Sequence, residues 1–145
     1  MTNQETNMRA INNVFKNAHI ALQSIADILP AVKDSELETE LKEQYEGYEN
    51  IIGEISTYMT ESGIEPKDIG PMKKAMLWSS IKMKTMMNNS RNQIAEMMIK
   101  GTVMGINELS AMKNENCNYE DKVCYYIEKL LTLEEDYEQR LKKFL

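Results

Sequence analysis

Three polar side chains in this sequence have types suited to metal chemistry: His19, Glu108 and Glu134. The single histidine, His19, lies one helical turn from Phe15, at the edge of an apolar stripe. Glu108 and Glu134 fall in register with apolar residues of later segments, so both are predicted to face the protein interior. A buried carboxylate is costly unless it is paired or hydrogen-bonded. We expect a structural role for these residues, with an atypical iron or manganese site as the alternative.

Hydroxyl donors for such carboxylates are available on three tyrosines of the predicted helices, namely Tyr45, Tyr48 and Tyr137. A hydroxyl that donates to a buried carboxylate satisfies part of its hydrogen-bonding capacity. These donors favour the structural interpretation of the two glutamates.

Methionine is abundant, with 12 residues, and thioethers are soft ligands suited to Cu(I). Six of them cluster in the second half of the chain, at positions 83, 86, 87, 97, 98 and 104. Methionine also fills irregular gaps in helical cores, and Met72, Met76, Met83 and Met87 keep ordinary helical spacing. Core packing is therefore the preferred interpretation, and a copper site is the alternative.

The two cysteines, Cys117 and Cys124, are seven residues apart. Along a helix this separation is about 10 Å, which is too long for a disulfide. Two free thiols in a reducing compartment are expected.

Composition limits the classes of protein to consider. The 145 residues fit one domain, 1–145, and 23 acidic against 17 basic residues give a net charge of -6, which disfavours nucleic-acid binding. A single histidine excludes most zinc enzymes and histidine-based triads. No apolar run reaches the roughly 18 residues of a membrane span, so a cytoplasmic protein that does not bind membranes is expected.

The first two helices have clear apolar periodicity. The first carries a stripe with 3-4 spacing and is predicted to stop at Pro30, because proline lacks the backbone donor. The second is predicted from Ser35 to Glu61, opened by a capping box of Ser35 with Glu38 and closed by Gly63. Their stripes are Met8, Ile11, Phe15, Ala18, Leu22, Ile25 and Leu29, and then Leu41, Tyr45, Tyr48, Ile52, Ile55 and Met59.

The third helical stretch, from Pro71 to about Lys113, would be ~65 Å long as one straight helix. The polar run from Asn88 to Asn92 is predicted to kink or break it, because Asn and Ser side chains compete for backbone hydrogen bonds. Asn118 is predicted to cap a last helix whose stripe is Tyr126, Leu130, Leu133, Tyr137, Leu141 and Phe144. The prediction is an all-α, up-down four-helix bundle with a kinked or broken third helix.

The layout resembles the ferritin-like superfamily, in particular small bacterial bundle proteins with a Gly-x-x-Pro connection after the second helix. The matching segments are Asp34 to Leu37, Gly63 to Pro66, and Ile94 to Glu96 leading to Gly101. Metal-binding members use inward carboxylates and Glu-x-x-His pairs. This chain has no Glu-x-x-His, and Thr102 stands where related proteins place a glutamate after the glycine. The resemblance therefore implies the fold without the di-metal ligand set.

The third stretch has two apolar sides, and this pattern leads to the functional prediction. Ile94, Met98, Gly101 and Gly105 form the predicted core stripe, in which a Gly-x-x-x-Gly pair permits close helix packing. The second side points elsewhere and is predicted to be an interface, formed by Leu77, Trp78, Ile81, Ile99, Val103 and Ile106.

The sequence therefore indicates a non-catalytic structural or interaction unit, a homodimer or a partner of another helical protein, without a cofactor. The alternative is a metal-dependent oxidase or metal-storage protein that uses an atypical carboxylate site.

Overall fold

The structure is a computed structural model that describes residues 2–66, 90–115 and 118–145. These residues form four α-helices and no strand, as predicted, in an arrangement consistent with a helical bundle. The helices are α1 (Asn3–Ile28), α2 (Ser35–Glu61), α3 (Arg91–Glu115) and α4 (Asp121–Leu141). Short 3-10 turns follow α1 and α4, at Leu29–Ala31 and Lys142–Phe144.

Helix α1 begins and ends where local chemistry requires it. The side chain of Thr2 accepts a hydrogen bond from the backbone N–H of Glu5 at 3.1 Å, which satisfies one of the free donors of the first turn. The α-helix ends at Ile28, and Pro30 lies in the 3-10 turn that follows. The predicted stop at Pro30 is confirmed.

The predicted bounds of α2 are confirmed, but its N-terminal cap differs from the prediction. The N-cap is Asp34, and Ser35 is the first helical residue, so the predicted capping box of Ser35 with Glu38 is wrong. At the other end Gly63 has a φ of 71°, and the N–H of Ile64 donates to the carbonyl of Met59 at 2.8 Å. Because glycine adopts a positive φ without a steric penalty, Gly63 ends the helix as predicted.

Helix α3 begins at Arg91, and the preceding residue, Ser90, is not helical. This start falls inside the segment that was predicted to break the third stretch, but Asn88 and Asn89 lie outside the described residues. Helix α4 begins at Asp121 with Glu120 as its N-cap, so the prediction that Asn118 caps it is wrong. The chain runs two residues beyond Asn118 before the helical conformation begins.

The core lies between the four helices. Helices α1 and α2 pack on each other, as do α3 and α4, while α1 also contacts α3 and α4, and α2 contacts α4. The predicted stripes supply much of the core, because their buried members include Ile11, Ala18, Ile25, Leu41, Tyr48, Ile55, Met59, Tyr126, Leu130, Tyr137 and Leu141. Apolar burial of this kind is the main source of stability in a bundle.

One predicted core residue of α3 is on the outside. Ile94 and Met98 are buried, but Gly101 is exposed, and a β-carbon added there would meet nothing within 4 Å. The inward face instead runs through Met98, Gly105 and Leu109, and Gly101 lies beyond the edge of that face. Among the described residues, no helix is long and apolar enough to cross a membrane.

Candidate functional site

A buried carboxyl group on α4 is the centre of the candidate site. Glu134 is 1% exposed, and the hydroxyl of Tyr48 on α2 donates a hydrogen bond to its Oε2 at 3.3 Å. The predictions that Glu134 faces the interior and that Tyr48 is available as a donor are therefore confirmed. Its other oxygen, Oε1, is buried without a hydrogen-bond partner among the described residues.

Gly105 on α3 lies against Oε1, and Asn17 on α1 lies against Gly105. The side-chain amide of Asn17 donates from Nδ2 to the carbonyl oxygen of Gly105 at 3.1 Å. A β-carbon added at Gly105 would lie 2.6 Å from Glu134 Oε1 and 3.2 Å from Asn17 Oδ1. The carboxyl and amide groups therefore occupy the space that a side chain at position 105 would need.

A second glycine receives a polar group from the same face of α4. Tyr137 lies one turn beyond Glu134, and its hydroxyl occupies the position of a β-carbon at Gly47 on α2. The rings of Tyr137 and Tyr48 meet edge to face, with centroids 5.3 Å apart. This geometry is a favourable one for aromatic pairs. We call the residues that meet here the central polar cluster, which consists of Glu134, Tyr137, Tyr48, Asn17, Gly105 and Gly47.

Burial dominates the electrostatics of this cluster. The pKa of Glu134 is raised from its ordinary value of 4.5 to about 8. Removal from water is the largest cause, the hydrogen bond from Tyr48 acts in the opposite direction, and the charge of Glu108 raises the pKa further. Burial also raises the pKa of Tyr48 above its ordinary value, and the neighbouring Glu134 adds to this effect. Glu134 therefore favours the neutral acid near neutral pH.

The other two candidate ligands do not join Glu134 in a metal-binding set. Glu108 is exposed, so the prediction that it faces the core is wrong: its neighbour Leu109 occupies the inward position, and Glu108 lies on the side of Met104. His19 is half-buried, with its ring 4.5 Å from that of Phe15. In the described part of the chain, no three His, Cys, Asp or Glu residues are placed to hold a metal ion.

The described methionines of the cluster for which a copper site was the alternative face different environments. Met98 is buried, as core packing predicts, but Met104 is 73% exposed, so core packing is wrong for Met104 and these two do not share one site. Met83, Met86 and Met87 lie outside the described residues, as does Cys117. Cys124 is an exposed free thiol, as predicted.

Three of the six predicted interface residues, Leu77, Trp78 and Ile81, lie outside the described residues. The remaining three, Ile99, Val103 and Ile106, are half-buried. Ile99 and Ile106 pack against the core, so part of their surface is already covered within the chain.

An open cleft between α2 and α4 is a second feature of the described residues. Tyr58 and Tyr126 lie in it with ring centroids 5.9 Å apart. The Tyr58 hydroxyl donates to Glu120 at 2.9 Å, and Lys129 pairs with Glu54 at 2.8 Å nearby. These polar groups of the cleft bond to one another, whereas Glu134 Oε1 is buried without a hydrogen-bond partner among the described residues. The central polar cluster is therefore the stronger candidate site.

Sequence reasoning identified Glu134 and Tyr48 but missed Asn17 and Gly47. A signal for Asn17 was present, since it continues the spacing of the buried residues Ala10 and Val14 with a polar side chain. Asparagine is unfavourable within a helix, so its presence at an inward position indicates a specific hydrogen bond. No comparable signal marks Gly47, because only the fold places Tyr137 against it.

Comparison with known proteins gives no match: no family model fits the chain, and no curated protein or solved structure is significantly similar to it.

Proposed function

We propose that this protein is a non-catalytic helical bundle that acts as a structural or interaction unit by pairing with a second copy of itself. The observation that carries the proposal is Met104, which lies in the middle of α3 and is 73% exposed. Met104 shares one side of the helix with the half-buried Met97 and borders the half-buried Val103, and an exposed apolar patch of neighbouring side chains is typical of a contact surface. The central polar cluster, by contrast, is closed to substrates because Glu134 is 1% exposed.

The surface around Met104 combines a protruding side chain with a depression. Gly101, one turn before Met104, has open space where a side chain would project. Met97, Lys100 and Glu108 lie on the same side of α3 because they are seven or four residues from Met104. We call these five residues, Met97, Lys100, Gly101, Met104 and Glu108, the outer face of α3. Its half-buried neighbour Val103 borders it.

The outer face is complementary to a second copy of itself in an antiparallel arrangement. Lys100 and Glu108 lie four residues before and after Met104, and they carry opposite charges. If two α3 helices cross antiparallel at Met104, each Lys100 faces Glu108 of the second copy. The Met104 side chains meet at the twofold axis next to the space left by Gly101. Such a self-complementary patch is the requirement of a twofold homodimer.

We also propose that the bundle has the up-down connectivity of the ferritin-like superfamily. The four helices of the described residues and the inward carboxylate of α4 support this assignment. The free thiol of Cys124 supports a reducing, cytoplasmic location.

Charge reversal across the twofold axis tests the dimer. Sedimentation equilibrium should show that Lys100→Glu weakens dimerisation, because like charges then face each other. Adding Glu108→Lys should restore the dimer. The matched control is Lys42→Glu, since Lys42 and Lys100 are both 63% exposed and both pair with a glutamate four residues before them. Equal dimerisation of Lys100→Glu and Lys42→Glu would contradict the proposed face.

A further inference from the structure

Two buried oxygen atoms in the central polar cluster need a hydrogen-bond donor. Glu134 Oε1 and Asn17 Oδ1 are both buried without a partner among the described residues. Both lie within 3.2 Å of the position that a Gly105 β-carbon would take, so they converge on one point between α1, α3 and α4. A buried acceptor without a donor is costly, and here two such acceptors lie around the same position.

The orientation of each group is set by its other hydrogen bond. Asn17 donates through Nδ2 to the carbonyl of Gly105, which can only accept, so its amide oxygen must be the atom turned toward Glu134. The Tyr48 hydroxyl is directed at Oε2 and not at Oε1. Neither bond supplies a donor to the pair of oxygens.

We propose that Glu134 and Asn17 form a proton-binding site, in which Glu134 is a neutral acid whose Oε1–H donates to Asn17 Oδ1 and thereby joins α4 to α1. A single proton converts Oε1 from an acceptor into a donor, so it satisfies both atoms at once. Loss of that proton places a negative charge in the bundle centre against an amide oxygen. The site therefore acts as a pH-sensitive switch of the packing between α1 and α4.

The groups around Glu134 agree with this assignment. From α2 it faces Tyr48, and from α3 the charge that acts on it is that of Glu108, which is negative. On its own helix Tyr137 lies one turn away, and from α1 the uncharged Asn17 places its Oδ1 near the same Gly105 β-carbon position as Glu134 Oε1. His19, two residues from Asn17, packs on Phe15. Burial, together with the charge of Glu108, raises the pKa of Glu134 to about 8 despite the Tyr48 hydrogen bond.

The sign of the pH dependence follows from this shift. The ordinary pKa of 4.5 applies to the unfolded chain, and a value of about 8 applies to the folded protein. Between these values the folded protein holds a proton that the unfolded chain has released. The contribution of this site to the free energy of unfolding is therefore fully present below pH 4.5 and falls as the pH rises toward 8. Above pH 8 it no longer changes with pH.

The variant Glu134→Gln mimics the protonated state, because its amide has the same shape and supplies an N–H donor to Asn17 Oδ1. We expect the urea midpoint of the unmodified protein to be lower at about pH 9 than at about pH 5. In Glu134→Gln this difference between the two pH values should be much smaller. The control is Glu135→Gln, an exposed neighbour on the same helix, which should keep the full fall. The same fall in Glu134→Gln as in the unmodified protein would overturn the proposal.

Direct titration of the carboxyl carbon of Glu134 by 13C NMR provides a test that does not depend on any variant. A midpoint near 8 that is unchanged by EDTA is the expected result. A midpoint near the ordinary 4.5 would show that another donor, such as a buried water, serves an ionised Glu134. A midpoint that changes with EDTA or with added Mn²⁺ would assign the site to a cation. Either of these results overturns the proton-binding site.

Discussion

Glu134 Oε1 lies against the backbone of Gly105, so close that a β-carbon at position 105 would be 2.6 Å from it. Real β-carbons do not approach an oxygen this closely. The glycine on α3 and the buried carboxyl on α4 therefore depend on each other. This contact lets α3 and α4 pack closely around a polar group.

Replacing Gly105 with alanine should destabilise the protein. Within an exposed helix, Gly→Ala usually stabilises by about 1 kcal/mol, but here the added methyl group collides with Glu134 and Asn17. We expect a net loss of about 1–3 kcal/mol in urea unfolding, as is typical of overpacking. Gly101→Ala is the matched control on the same helix, and it should be stabilising because nothing lies within 4 Å of its β-carbon position. A loss of stability in both variants would indicate a general effect of helix substitution.

A similar dependence is predicted for Gly47 and Tyr137. The variant Gly47→Ala should be destabilised by about 1–3 kcal/mol, because its methyl group would overlap the Tyr137 hydroxyl. In the double variant with Tyr137→Phe the hydroxyl is absent, so part of that loss should be recovered. A double-mutant cycle measured by thermal unfolding quantifies the coupling. Additive effects of the two substitutions would disprove the contact.

Tyr48→Phe should raise the pKa of Glu134 further, because the hydrogen bond from the Tyr48 hydroxyl is the contribution that lowers it. The variant removes that donor and leaves Oε2 without it, which should cost about 1–3 kcal/mol in stability. The NMR titration of Glu134 provides the readout. Tyr137→Phe is the control variant, and it should leave the Glu134 midpoint unchanged because the hydrogen bond to Glu134 comes from Tyr48. An unchanged or lower midpoint in Tyr48→Phe would contradict the observed hydrogen bond.

Purified protein should contain little transition metal, because Glu108 is exposed while Glu134 is buried and the two do not form a ligand set with His19. Elemental analysis after growth with iron and manganese checks this prediction. One or more equivalents of metal, lost when both Glu108 and Glu134 are replaced by Ala, would instead support the metal-dependent oxidase or storage alternative.

Apolar periodicity was sufficient to predict the class of fold. The bounds of α2 follow from its stripe and from Gly63. The stripes of α1 and α4 are confirmed only in part, because Ile11, Ala18, Ile25, Tyr126, Leu130, Tyr137 and Leu141 are buried while the other stripe residues are half-buried. Caps were predicted less well, because Asp34 and Glu120 occupy the N-cap positions without a side-chain hydrogen bond that a motif could reveal. These boundaries depend on packing as well as on local sequence.

The candidate site was predictable only in part. A glutamate in an apolar register is visible in the sequence, and this signal identified Glu134. The same reasoning was wrong for Glu108, because α3 is apolar on more than one side and its periodicity does not fix which side faces inward. The contacts of Asn17 with Gly105 join residues 88 apart, so they depend on how the helices pack.

The most direct test of the account is the mass of the protein in solution. Static light scattering of the unmodified protein at about 100 μM should report a dimer. Met104→Glu should be a monomer, because it places two like charges at the twofold axis. Leu145→Glu, which changes another large exposed apolar residue, should remain a dimer. A monomeric unmodified protein, or a Met104→Glu variant that remains a dimer, would contradict self-association through the outer face of α3.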